Sequence, residues 1–567
     1  MFPSINPPYM LSRRSQIPIL LVCIVSLLGF SIGTPNQLPR RDQHPLITPP
    51  FEYPPPPPTA NDNTTFPAFL EALEVLQEDY FAIWAGIWPT SIDWTSAVIG
   101  TYLSSALTTL STSLSKSPKD RENIINKYFS QLVGSYFGQD AFSLRQEAYD
   151  DMLWVVLGWL ESIKFIHSHS ALHYERQGKE WYGKQYIPAF AHRARLFWDI
   201  ASQGWDTKLC NGGMIWSPYL VPYKNAITNE LFVAGSIAMY LHFPGDMNTS
   251  PFGFSVPGTT DVPPARPRDP KYLAAAIEAY KWLNASNMTN KQGLYVDGFH
   301  VSGWSKDGSK NHTRELRCDQ RNEMVYTYNQ GVLLSGQRGL YEATGAKSYI
   351  VEGHRLVADV IAATGWNLMK NDLVDLNTGE GQLGKWHGLG RSGVMEEGCD
   401  ALGYCSQNGQ TFKGIFFEHL TSFCAGLPDH LVLPEGTFVG KDFEEDRKWH
   451  RSECRRYVKW VKHNARAAQT TRNEEGRFGM WWGAPKGSKD DLNGEVEIPE
   501  NAVDYRNQGV PDQWEMPRKS TARRSGSDTD IKGNFGTRDL NDRGRGRTVE
   551  TQGGGVSILR AAWELSR

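Results

Sequence analysis

Beyond residue 33 this chain carries no G-x-x-x-x-G-K-[S/T] phosphate loop, no G-x-S-x-G elbow and no H-E-x-x-H pair. Their absence disfavours P-loop phosphoryl transfer, serine-hydrolase chemistry and zincin chemistry. His167 and His169 are two residues apart and point apart on a helix, which again argues against a metal pair. There is no excess of either charge: 59 Lys and Arg stand against 62 Asp and Glu, interspersed, for a net charge of −3. A protein that neutralises phosphates needs a basic surplus, so nucleic acid is excluded as an expected partner. Cysteine is sparse, seven in 567 residues, with no C-x-x-C pair to suggest zinc. Stretches that alternate apolar and polar residues like strands are few.

What is present begins at the N-terminus. After Arg13 and Arg14, the run "IPILLVCIVSLLGFSIG" has 17 residues without a charge. It reads as a secretory signal, residues 1–33, with an uncleaved membrane anchor over 17–33 as the alternative. Both place the rest of the chain in the lumen or outside: secreted, at the cell wall or surface, or held in the endomembrane system. Removing Cys23 with the signal leaves six cysteines, an even number suited to disulfides, with Cys399 and Cys405 the best local pair. Sequons at Asn63, Asn248, Asn284, Asn287 and Asn311 fit the same compartment. Residues 34–65 are proline-heavy, ending in "PPFEYPPPPPTA", and read as a linker.

From Phe66 onward, 3.6-residue periodicity recurs in segment after segment, from "FPAFLEALEVLQEDYFAIW" to "KSYIVEGHRLVADVIAA". Two segments echo each other. Asn229 and Asn329 each lead through a Tyr (Tyr240, Tyr341) to a Gly sixteen residues on (Gly245, Gly345). Repeated helical hairpins of this kind build either an α-solenoid or a closed α/α barrel, and periodicity alone fits both. Residues 485–553 are charged, Gly-rich and poor in large apolar residues, and read as a disordered insertion. A short helix over 554–567, "VSILRAAWEL" at its centre, is expected to dock back on the main domain at 66–484. "GLGRSG" at 388–393 matches a dinucleotide-loop spacing by letters only and reads as a flexible loop.

The chemistry gathers at "QEAYDDMLWVVLGWLE", residues 146–161, where Asp150 and Asp151 open a nearly continuous apolar helix. Burying two neighbouring charges costs several kcal/mol each unless they are paired. One reading makes an Asp the helix cap, which explains the first carboxylate better than the second. The other makes the two a glycosidase pair, one attacking the anomeric carbon and one protonating the leaving oxygen.

Five stretches together resemble glycoside hydrolase family 76, the endo-α-1,6-mannanases including fungal cell-wall relatives: "YDDMLWVVLGWLE", "CNGGMIWSPYLVPYKNAITNELF", "GLYVDG", "TYNQGVLLSGQRGLYEATG" and "FKGIFFEHL". The resemblance spans roughly Phe66 to Gly483. It implies an all-α (α/α)6 barrel and a retaining mechanism with Asp150 as nucleophile and Asp151 as general acid/base, and no metal or cofactor is expected. Within the matching motifs Lys224, Asn225, Asp297, Tyr328, Asn329 and Gln330 are candidate contacts for sugar hydroxyls, with helix capping the alternative for the Asn residues; Lys413 is weighed in the same way, with a salt bridge its alternative. The expected partner is α-1,6-mannan or another mannose-containing glycan, bound by a monomer. Two other functions stay open: transglycosylation that links mannose-containing glycans to wall polymer, and non-catalytic binding of mannan.

Overall fold

The computed structural model describes residues 64–114, 116–249, 263–304, 316–375, 383–433, 436–438, 441–485, 496–507 and 539–567. The expected signal and nearly all of the linker lie outside these residues, as do two of the five sequons. No helix among the described residues is long and apolar enough to cross a membrane.

Among the described residues twelve helices have 15 or more residues. They are α1 (Thr65–Asp79), α2 (Asp93–Ser113), α3 (Pro118–Gly138), α4 (Tyr149–His173), α5 (Ile187–Ala201), α6 (Ala226–His242), α7 (Pro270–Ala285), α8 (Thr327–Thr344), α9 (Ser348–Ala362), α10 (Gln407–Cys424), α11 (Lys441–Thr470) and α12 (Val549–Glu564). Their ends follow local chemistry. Ser117, Asp269, Ser406 and Thr548 accept backbone N–H groups at the starts of α3, α7, α10 and α12, and Pro118 and Pro270 occupy first helical positions. Gly345 ends α8 in the left-handed region at φ 70°, where its N–H bonds to the carbonyl of Tyr341.

The packing of these helices closes a ring. The even-numbered helices touch in sequence, α2 on α4, α4 on α6, α6 on α8, α8 on α10, α10 on α12, and α12 back on α2. The odd-numbered helices lie outside them: α1 on α12, α3 on α2, α5 on α4, α7 on α6, α9 on α8, α11 on α12. This is an (α/α)6 barrel, not a solenoid, because the last inner helix meets the first. Composition agrees with position. Inner helices such as α4 and α6 are buried around most of their circumference, while α9 and α11 bury one stripe. The echoing segments at Asn229 and Asn329 belong to the neighbouring inner helices α6 and α8.

The insertion expected to be disordered over 485–553 lies for the most part outside the described residues. Residues 496–507 pack on the barrel, and α12 begins at Val549 and takes in the glycine run at 553–555. That run reads as disorder because glycine is a poor helix former; here it serves packing. A side chain on Gly555 would strike the Phe478 ring, and Gly554 sits against Gly414 of α10 so closely that a Cβ on Gly414 would lie 2.8 Å from the Gly554 Cα. Likewise 388–393 is no flexible loop but part of a buried hairpin, β-paired at Gly390–Arg391 with Val394–Met395, in which Arg391 contacts Glu396 at 2.6 Å.

Three disulfides use all six cysteines after Cys23: Cys399 with Cys405 as expected, Cys210 with Cys318, and Cys424 with Cys454. The last joins α10 to α11. Of the sequons, Asn248, Asn284 and Asn287 are described and at least partly exposed.

Candidate active site

One end of the barrel collects the starts of the inner helices. Thr95 near the start of α2 and Gln407 at the start of α10 both donate to Glu550 of α12, and Trp94 of α2 donates to Asn408 of α10. At the same end an antiparallel three-stranded sheet, β1 (Tyr223–Asn225), β2 (Val296–Ser302) and β3 (Arg317–Val325), runs directly into α6 and α8. Helix N-termini carry partial positive charge, so this end favours carboxylates.

Asp150 and Asp151 stand in the first turn of α4. The Tyr149 N–H donates to the Trp216 carbonyl, and the Trp216 N–H donates to the Tyr223 carbonyl, tying the helix start to β1. The Trp216 indole then donates to Asp150 Oδ2 at 3.1 Å, and the Asp151 N–H donates to Asp150 Oδ1 at 3.2 Å. Asp151 accepts from the Ala148 N–H at 3.2 Å. The capping reading thus describes Asp151 as well, and it leaves buried Asp150 to be explained. Asp150 is answered by Arg506, whose Nη2 lies 3.5 Å from Oδ2 and whose guanidinium rests 4.8 Å over the Trp216 ring.

The electrostatics of the two carboxyls differ in degree. Burial pushes Asp150 upward from the ordinary carboxylate range, against the pull of Arg506 and its hydrogen bonds. Asp151 is pushed well above that range by burial, then by the charges of Asp150 and Glu147. Glu147 itself is raised to about 7 by burial and by Asp93.

Behind the pair lies a buried polar wall. Asp297 on β2 accepts from the Tyr223 hydroxyl at 2.6 Å and the Asn322 amide at 3.2 Å through Oδ2, while its Oδ1 has no hydrogen-bond partner among the described residues. The Tyr328 hydroxyl, both amide atoms of Asn225 and Asn329, and both carboxyl oxygens of Glu230 are in the same condition. Buried polar groups are nearly always paired, so such a concentration marks a surface built to meet polar ligand atoms. Neither Asn caps its helix through its side chain. Glu230 feels the charge of Asp297, and Tyr328 that of Arg506, Asp297, Asp150 and Glu230, which places them around one space.

Two expected sugar contacts have other roles. Lys224 donates to the Gly213 carbonyl at 2.5 Å and the Asp206 carbonyl at 3.1 Å, and burial lowers its pKa to about 8. Gln330 exchanges hydrogen bonds with the Tyr295 backbone and donates to the Tyr326 carbonyl. Lys413 takes the alternative weighed for it, a salt bridge to Asp400 at 2.5 Å. Sequence reasoning passed over Arg506 and Glu230. Arg506 falls in the stretch that looks disordered, although "NAVDYRNQ" is less Gly-rich than the residues after it; Glu230 was visible as a charge inside an otherwise apolar helix.

The only acidic and thiol clusters with metal-like geometry among the described residues are His354, His450 and Cys454, and Cys399, Asp400 and Cys405. In both the cysteine sulfur is held in a disulfide, so neither offers a thiolate.

No curated protein matches the chain. Among solved structures it is similar to an α-1,6-mannanase from Salegentibacter sp. HEL1_6, 16% identical with a TM-score of 0.48, covering 88% of this chain and 99% of that one. An inactive double-aspartate variant of that enzyme, in complex with an α-1,6-mannotetraose, matches at 15% identity and a TM-score of 0.47, with the same coverage. Dfg5 from Chaetomium thermophilum, in complex with glucosamine, matches at 14% identity and a TM-score of 0.48, covering 90% of this chain and 92% of that one. Residues 265–430, which hold Asp297, Tyr328, Asn329 and Lys413, match the model for glycosyl hydrolase family 76.

Proposed function

We propose that the protein is a retaining glycosidase that cleaves α-1,6-mannosidic bonds, with Asp150 as nucleophile and Asp151 as general acid/base. The observation that carries this reading is the buried pair at the start of α4, in which Arg506 lies 3.5 Å from one carboxyl while burial and the neighbouring Asp150 and Glu147 push the other well above the carboxylate range. A retaining mechanism needs neighbouring carboxyls in opposite protonation states. Asp150 attacks the anomeric carbon while the bond to the leaving oxygen breaks and Asp151 gives that oxygen its proton. Asp151 then takes a proton from water as the water oxygen attacks the same carbon and frees Asp150. The unpartnered heads of Asp297, Asn225, Asn329, Tyr328 and Glu230 are suited to the hydroxyls of the sugar being cleaved. Glu230, pushed well above the carboxylate range by burial, stands among these heads.

The acceptor decides between hydrolysis and transfer, since a sugar hydroxyl can replace water at the second step. Exposed Tyr219 and Tyr505, close to Trp216 and Arg506 in the chain, are platforms on which an acceptor sugar could stack. The test is to incubate the full chain with α-1,6-mannotetraose and follow products by mass spectrometry. Shorter products support hydrolysis and longer ones transfer; an intact substrate that is nonetheless bound would leave a mannan-binding protein.

A further inference from the structure

We propose that Arg506, carried on a strap at 501–507, is the positioning residue that keeps Asp150 ionised beside a protonated Asp151 and so decides which aspartate attacks. The inference rests on the glycosidase reading for its consequence, and on geometry for its substance. Arg506 and the Trp216 indole converge on the same oxygen, Asp150 Oδ2, at 3.5 and 3.1 Å, and the guanidinium lies on the face of that same indole. Asp151 has no such cation in contact: its Oδ2 accepts the Ala148 N–H, and its carboxyl shares a hydrogen bond with Glu147. Among the groups that make the two carboxyls unequal, the one cation in contact comes from a part of the sequence more than 350 residues away.

The strap is built to hold that side chain still. Asn322 of β3 donates to the Val503 carbonyl at 2.9 Å and accepts from its N–H at 2.8 Å, a two-way clasp. Glu323 N–H bonds to the Asn501 carbonyl. The Tyr326 hydroxyl donates to Asp504 at 2.6 Å, and Asp504 in turn accepts from the Asn507 backbone and amide. Ser406, which caps α10, donates through its hydroxyl to the Arg506 carbonyl at 2.8 Å and through its N–H to Asn507 at 2.9 Å. Both flanks of Arg506 are therefore pinned to the starts of two inner helices, α8 and α10.

Other carboxyls stand around the pair, and any that ionise oppose an ionised Asp150: Glu147 and Asp151 from its own segment, Asp93 from α2 beside Glu147, Asp297 from β2 with Asp504 of the strap, and Glu230 from α6 beside Asp297. Tyr223, Tyr326 and Tyr328 border the same space as neutral hydroxyls. Against this surplus of carboxyls a single fixed cation in contact has a large effect on the group it touches. Arg506 also lowers Asp151, where its effect ranks after burial and the charges of Asp150 and Glu147.

The experiment compares full-length wild type, Arg506→Gln and Arg506→Lys in two readouts. The first is the pH profile of kcat/KM on α-1,6-mannotetraose. The second is a carbon-13 titration of labelled aspartate carboxyls, with Asp150→Asn and Asp151→Asn to assign the two signals. Losing the guanidinium raises the Asp150 pKa, so in Arg506→Gln the acidic limb and the Asp150 titration both move up by about one pH unit, and Arg506→Lys recovers part of the shift. An Asp150 titration unmoved in Arg506→Gln overturns the proposal, even where KM or thermal stability changes. Faster turnover by Arg506→Gln at every pH also overturns it, because Arg506 would then be a plug in the cleft. The titration needs no substrate. A wild type that leaves the tetrasaccharide whole sinks the glycosidase reading, and the Asp150 titration still decides the role of Arg506.

Discussion

Two buried carboxylate–arginine contacts sit in the inner ring, and they are built differently. Glu418 of α10 meets Arg560 of α12 at 2.7 Å and accepts from Ser105 of α2 at 2.5 Å on the same oxygen. Asp150 meets Arg506 at 3.5 Å, and its arginine arrives on an irregular strap. In the first, the arginine, the carboxylate and the serine come from adjacent inner helices whose packing fixes the geometry. In the second, the carboxylate is held by an indole and a backbone N–H while the arginine stands back. A close ion pair between rigid helices is a staple across the ring; beside Asp150 the cation stands further off, which suits the bond-forming role proposed for that carboxylate.

The contrast is sharpest in activity. Replacing Asp150 or Asp151 by Asn is expected to lower turnover of α-1,6-mannotetraose by about 10³-fold or more while the thermal midpoint stays near wild type, as product analysis beside calorimetry can check. The mirror image comes from the staple. Arg560→Met leaves Glu418 buried without its cation, which should cost about 3 kcal/mol of stability in a denaturant titration, with the pH profile of any remaining activity unchanged. Adding Glu418→Gln to that variant should recover part of the loss, since the stranded charge is gone. If Arg506→Gln proves as destabilising as Arg560→Met, the two contacts are the same kind of object and the comparison fails.

A smaller effect separates the cleft from the barrel wall by pH. Glu147 is raised in the folded protein to about 7, above its ordinary value of 4.5. A carboxyl so raised binds its proton more tightly folded than unfolded, so stability falls as pH climbs between those two values and the loss is complete above the higher one. Glu147→Gln should therefore match wild type in thermal midpoint near pH 4 and exceed it by pH 8. Equal midpoints at both pH values would show that Glu147 is not held in this way.

Much of the barrel was legible because it rests on a repeating signal. The apolar run after Asp151, with apolar residues on nearly every face, demands an inner helix, and the one-stripe pattern of "KSYIVEGHRLVADVIAA" demands an outer one. Closure of the ring was not in the periodicity, because it depends on α12 meeting α2 across more than 400 residues. The aspartate pair was legible as two charges where one cap suffices. Arg506 was hidden because its importance lies wholly in long-range contacts: nothing local distinguishes "DYRNQ" from an ordinary polar loop. Lys224 and Gln330 misled for the opposite reason. Their donors suit sugars, but they suit backbone carbonyls equally well, and only the folded chain shows which partner they took.

The clasp between Asn322 and Val503, together with α12, has a consequence for the order in which the protein is made. Synthesis delivers both aspartates long before the arginine that distinguishes them, and the last inner helix later still. Joining such distant parts is slow relative to forming the local hairpins, since the long loop must be closed before any contact rewards it. A nascent chain can therefore assemble most of its hairpins and still lack a differentiated pair of carboxyls. Competence arrives only when the strap and α12 have been made and dock, and a ribosome-bound intermediate that lacks them should be largely helical yet inert.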